Sequence, residues 1–143
     1  MAGTQTLRVP GARLLRLPEL VDHRGTLSYG QVGAPLPFTP RRYFLIYGVR
    51  AGQVRGEHAH RDVQQFMACV HGAVTLTLDD GTSTDEVRLD SPAVGVLVSP
   101  LVWTVTRDYT PDAVLLVLAS DVYREAEYIR DYPGFLAAAA AAR

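Results

Sequence analysis

Residues 55–66 read RGEHAHRDVQQF, which places His58 and His60 two apart with only Ala59 between them. On an extended strand residues i and i+2 point to one side, so both imidazoles are expected on the same face. Same-facing imidazoles can hold a metal, move a proton or simply decorate a surface. Imidazole is the side chain best suited to proton transfer near neutral pH. Inside a small barrel two such rings would need partners, because an unpaired buried polar group is costly. That favours a site over filling, whereas an outward pair would be ordinary surface.

The other chemistry-bearing residues are weaker signals. Arg24, Arg42 and Arg55 carry forked donors, although a lone arginine is more often a solvated charge. Arg42 is expected to point inward from its strand with Phe44 and Ile46. Tyr43 and Tyr47 carry aromatic rings with a polar tip, and core packing is the plain reading. His23 and His71 read as surface or turn residues. Cys69, the single cysteine, lies in the apolar run FMACV and reads as a buried small residue.

Composition narrows the class. The 143 residues suit one domain, and 48% hydrophobic content can fill a core. Lys+Arg 14 against Asp+Glu 15 leaves no basic excess for nucleic acid. No apolar run reaches membrane-spanning length and MAGTQTLRVPG lacks a signal-peptide core, so a soluble cytoplasmic protein is expected.

The elements that must position these residues are mostly strands. ARLLRL, TLSYGQV, RRYFLIYGV, QFMACVHG, AVTLTLDDG, TDEVRL, AVGVLVS, VWTVTRD and DAVLLVLAS are short, apolar or alternating, and bounded by Gly or Pro. DDG is a hairpin turn signal. Many closely spaced strands predict an all-β sandwich or barrel, a jelly roll. Only residues 123–143 read as helical, from the i,i+4 pair Tyr128 and Tyr132 and the Ala-rich FLAAAAAAR.

The spacing Gly52, His58-Ala-His60, Gln65, Gly72 resembles the first signature motif of the cupin superfamily. In metal-binding cupins a glutamate and a later histidine complete the ligand set. Here Gln65 occupies the glutamate position, and Thr104 stands where many relatives carry the histidine. A neutral amide and a hydroxyl are poor replacements for those donors, so no metal is expected.

Beyond the superfamily, DHRGTLS, PFTPRRYFLIYGV, RGEHAH, LDDG, LDSPAVGVLVSP, DAVLLVLAS and EYIRDYPGFL together resemble the sugar 3,4-ketoisomerases over residues 22–136. The resemblance implies a cupin jelly-roll barrel with a short C-terminal helix, one domain over 1–143. It implies a homodimer that exchanges its N-terminal segment, residues 1–20. The implied reaction moves the ketone of dTDP-4-keto-6-deoxyglucose from C4 to C3 through an enediol, without a cofactor. That resemblance puts His58 and His60 in the site, with His60 favoured as the base, His58 as its neighbour and their order open, while Arg24, Arg42, Arg55, Gln65, Tyr43 and Tyr47 bind the substrate. Two alternatives stay open: a keto-sugar epimerase, and a non-catalytic cupin that binds a dTDP-sugar. The configuration of the product at C4 is also open, with Thr104 in the histidine's place.

Overall fold

The computed structural model describes residues 3–33 and 35–143. Fifteen strands follow in order: β1 Gly3–Thr6, β2 Ala12–Arg16, β3 Glu19–Asp22, β4 Gly25–Ser28, β5 Gln31–Val32, β6 Pro35–Leu36, β7 Arg42–Tyr47, β8 Arg55–His60, β9 Gln65–His71, β10 Val74–Asp79, β11 Thr84–Leu89, β12 Val94–Val98, β13 Trp103–Arg107, β14 Val114–Ala119 and β15 Tyr128–Ile129. One helix, α1, spans Tyr132–Ala142.

Two antiparallel sheets face each other. The larger runs β1-β2-β12-β9-β14-β7 and the smaller β11-β10-β13-β8-β15. Period-two patterning decides what fills the space between them. On β14, Leu115, Val117 and Ala119 are buried while Val114, Leu116 and Leu118 are less so. On β10, Val74, Leu76 and Leu78 are fully enclosed. With Met67, Cys69, Val96 and Val98 they form the main core. A second cluster, Leu15, Leu36, Phe38, Phe66, Ala68 and Leu97, is separate from it.

A third cluster lies under the C-terminal helix, where Phe135 and Ala139 pack on Ala59, Trp103 and Ile129. Ala59, nearly fully buried, is therefore the small residue that lets α1 approach β8. Alternation then turns its neighbours His58 and His60 to the opposite, inner face.

The C-terminus differs from the helical reading of 123–143. Glu125–Glu127 form a single 3₁₀ turn, and Tyr128 and Ile129 form a strand against β8. The helix starts only at Tyr132, capped by the Asp131 carboxylate, which accepts from the Gly134 N–H at 2.8 Å. Asp131 with Pro133 one residue into the helix is a start signal, and it outweighs the Tyr128–Tyr132 spacing. The stretch read as TLSYGQV is likewise broken into β4 and β5.

The N-terminal strands pair within this chain, β1 on β2 and β2 on β12. Met1 and Ala2 of the segment expected to exchange lie outside the described residues. No described helix is long and apolar enough to cross a membrane.

Candidate active site

The space between the sheets opens as a cavity of about 210 Å³, lined by Arg55, His58, Gln65, Thr104, Thr106, Tyr128 and Arg130 over an apolar floor that includes Phe44, Met67 and Leu115. Each polar side chain is placed by a strand. Thr104 pairs with His58 and Thr106 with Arg55 across the β13–β8 ladder. Tyr128 pairs with His60 across β15–β8. Gln65 opens β9 and is buried.

A bulge on β8 sets which side chains face this cavity. Gly56 and Glu57 share one partner position, opposite Val105, with φ of 84° and 55°. Strict alternation would put Arg55 on the face opposite His58. The extra residue shifts the phase, so Arg55 joins His58 on the inner face. Glycine is required at 56, because a Cβ there would stand 2.7 Å from the Thr104 carbonyl oxygen and the φ is left-handed.

The two imidazoles stand edge to face, centroids 5.3 Å apart. His58 donates Nδ1–H to the Gly56 carbonyl at 3.0 Å, which leaves Nε2 as its free acceptor when neutral. Burial pulls its pKa below the usual histidine value, and Arg130 adds to this against the Gly56 bond. His60, only 5% exposed, stands behind His58 and Tyr128 rather than on the cavity wall. Neither of its ring nitrogens has a hydrogen-bond partner among the described residues. Burial is the main reason its pKa is lowered to about 4, followed by the charges of His58, Arg42 and Arg130. Both rings are thus neutral at ordinary pH, as a proton acceptor must be.

Tyr128 and Arg130 belong to this constellation and are absent from the residues expected from sequence. The Tyr128 ring lies 4.5 Å from that of His60 and 5.1 Å from that of His58. Arg42 Nη2 donates to its hydroxyl at 3.4 Å from the opposite sheet. The Arg130 guanidinium sits 4.3 Å over its ring and pairs with Glu125. Glu127 fixes the approach to β15, accepting from the Asp62 and Val63 N–H groups at 2.7 and 3.0 Å.

The structure brings His58, Gln65 and Arg55 to the cavity wall, with His60 and Arg42 directly behind Tyr128. It does not bring Arg24, Tyr43 or Tyr47 there. Arg24 sits in the turn between β3 and β4, paired with Asp22 at 2.6 Å. Tyr43 and Tyr47 are each 69% exposed, because alternation on β7 turns them outward when Arg42, Phe44 and Ile46 turn inward.

No three His, Cys, Asp or Glu side chains gather among the described residues in a way that could hold a metal ion. At the metal position of the cupin motif Gln65 and Thr104 offer no carboxylate or imidazole, and His58 Nδ1 is committed to Gly56. The donor set does not fit a resident metal.

The model of the family described as FdtA, WxcM-like, C-terminal matches residues 10–140. This chain belongs to the FdtA family. A relative, the TDP-4-oxo-6-deoxy-alpha-D-glucose-3,4-oxoisomerase of Aneurinibacillus thermoaerophilus, is 38% identical over 123 residues, 86% of this chain and 88% of that protein. QdtA, a sugar 3,4-ketoisomerase from Thermoanaerobacterium thermosaccharolyticum solved with TDP, matches with a TM-score of 0.90 and 31% identity over 94% of this FdtA-family chain and 98% of its own. A histidine-to-asparagine variant of QdtA has been solved with TDP-4-keto-6-deoxyglucose. A 3,4-ketoisomerase from Helicobacter canadensis matches at 0.87 with 33% identity, covering 90% of this chain and 97% of its own.

Proposed function

We propose that this protein is a sugar-nucleotide 3,4-ketoisomerase acting on TDP-4-keto-6-deoxyglucose. The observation that carries the reading is a neutral imidazole pair, His60 buried and His58 half-buried on the wall of a cavity flanked by arginines, in a chain of the FdtA family. The C3–H bond is acidified by the neighbouring C4 ketone. An imidazole of the pair takes that proton, His60 by the family resemblance or His58 by its place on the cavity wall, and an enediol forms. Return of the proton at C4 leaves the ketone at C3. Substrate carbon is oxidised at C3 and reduced at C4, so no external redox partner enters.

The cavity, about 210 Å³, falls below the roughly 300 Å³ at which drug-sized ligand sites begin. It has room for the sugar ring, with the nucleotide outside. Arg55 and Arg130 on its wall carry forked donors that suit a diphosphate, and Gln65 an amide that suits a sugar hydroxyl. The reaction belongs to the cytoplasm, where charged nucleotide sugars are retained.

The test is incubation of the purified protein with TDP-4-keto-6-deoxyglucose, followed by NMR of the product. A 3-keto sugar is expected, with turnover surviving exhaustive chelation. Inversion at C3 or C5 with the ketone still at C4 would make the protein an epimerase. Binding without conversion would make it a carrier. Loss of turnover on chelation, restored by one stoichiometric metal, would overturn the metal-free reading.

We also propose a homodimer. The β3–β4 hairpin pairs with no other described strand and exposes Leu20, Leu27 and Val21, the last 75% exposed. A second apolar cavity of about 540 Å³, lined by Leu15, Leu17, Phe66, Leu116 and Leu118, adjoins it. An isolated hairpin is marginal in water, and contiguous apolar surface marks an interface. Removing residues 1–20 is expected to weaken self-association in sedimentation. A soluble truncated monomer with full activity would reject this.

A further inference from the structure

His60 and Gln65, both buried, are joined by residues 61–64, a link that belongs to neither strand. If the link slips, both side chains move. An irregular segment has no ladder for its backbone N–H groups, and leaving them unpaired is costly. Here each has a partner, and two residues supply them all. Arg61 N–H donates to the Glu127 carbonyl at 3.0 Å. Asp62 and Val63 N–H donate to Oε1 of the Glu127 carboxylate at 2.7 and 3.0 Å, with a further contact from Asp62 to Oε2 at 3.1 Å. Gln64 N–H donates to the Ser120 hydroxyl at 2.9 Å. Three consecutive donors converge on Glu127.

The same residue carries the other side of the site. Glu127 ends the 3₁₀ turn and directly precedes Tyr128 of β15. That strand is two residues long, shorter than strands usually run. It meets β8 only where Tyr128 pairs with His60 and Ile129 with Ala59. The Ile129 end is held in the cluster with Phe135. The Tyr128 end borders the cavity, and the bonds from Glu127 to the link fix it there.

Resting on the isomerase reading, we infer that Glu127 is a positioning residue that clasps the link and thereby fixes His60, Gln65 and Tyr128 against one another, through the place of its oxygen and not through its charge.

The test compares three variants of the whole protein. Glu127→Ala removes the acceptor. Glu127→Asp keeps the charge but draws the oxygens back by one methylene. Glu127→Gln keeps one carbonyl oxygen, which can take both bonds that now end on Oε1. A misplacement of about 1 Å costs on the order of 10²-fold in rate. A loss of about that size in kcat/KM is expected for Ala and Asp, and a loss within about threefold for Gln. The Asp and Gln pair decides the matter if the Ala variant does not fold.

The second readout is the titration of His60, followed through its imidazole C–H signals by NMR without substrate. The titratable and charged groups around that ring are His58 on its own strand, Tyr128 and Arg130 at β15, and Arg42 from β7. None of the variants alters them. Burial is the main cause of the low value, so a loosened link and Tyr128 let water reach the ring. The pKa should move up from about 4 toward about 6.5 in Ala and Asp, and stay near 4 in Gln. A fall in activity with the titration unmoved would mean a smaller folded fraction only, and would overturn the clasp. So would a Gln variant as impaired as Asp, or an Asp variant within threefold of wild type. Wild-type protein that leaves the 4-keto sugar unconverted would overturn the isomerase reading alone, because the titration decides the positioning without it.

Discussion

His60→Asn is expected to lose on the order of 10²–10⁴ in the rate of ketone migration, the range typical for a positioned general base. That corresponds to about 3–5 kcal/mol of barrier. Asparagine keeps the approximate size and one hydrogen-bonding face, so the ring's neighbours His58 and Tyr128 keep a similar contact. TDP affinity should change little, because Arg55 and Arg130, not His60, line the cavity. His58→Asn should impair turnover less. Single-turnover conversion and TDP binding, measured on both variants, decide the matter. A larger loss in the His58 variant would move the base two residues along the strand, to the ring that is already on the cavity wall. Normal chemistry at saturating substrate with lost binding would make the pair a recognition element.

The second large effect is on pH. Burial holds His60 at about 4, against about 6.5 in an unfolded chain. Between those values the unfolded chain binds a proton that the native protein does not, so the native state loses stability as pH falls through that window. At 1.36 kcal/mol per unit, His60 alone removes about 3 kcal/mol between pH 7 and pH 4. His58, also lowered, adds in the same direction. Urea unfolding at the two pH values should show a smaller acid loss in His60→Asn by roughly this amount. Equal losses in variant and wild type would mean that His60 is not held neutral by burial. kcat/KM, which reports the ligand-free protein, should persist well below pH 6.5 and fall tenfold per unit only below about 4.

What was legible in the sequence was whatever depends on local period. Alternation on β7 correctly turned Arg42 inward with Phe44 and Ile46. The same alternation excludes Tyr43 and Tyr47, which the resemblance had placed in the site. The strand runs were readable because each carries its own apolar face. Tyr128 was not readable as a site residue. Its place comes from pairing with His60 far away in the chain, and its i,i+4 relation to Tyr132 imitated a helix. The Asp131-Tyr132-Pro133 start signal was the available warning. Arg24 matched a family motif, yet its nearest charge is Asp22 two residues away, so a turn accounts for it within this chain. Arg55 was assigned to the site, but pattern alone would have faced it away. Gly56 inside a strand was the mark of the irregularity that reversed it.

That irregularity means the two halves of β8 run on separate clocks. His58 and His60 keep time with Thr104 and the C-terminal half, while Arg55 keeps time with Thr106 only because Glu57 is absorbed as a surplus beat. Deleting Glu57 would therefore leave Arg55 facing inward, since the strand would then alternate regularly to the same result. Replacing Gly56 with a bulkier residue is the disruptive change. If the strand then straightens, the upstream half advances one step and the guanidinium goes to solvent, with both histidines still in place. In a binding assay such a protein would mimic the loss of an arginine it still possesses.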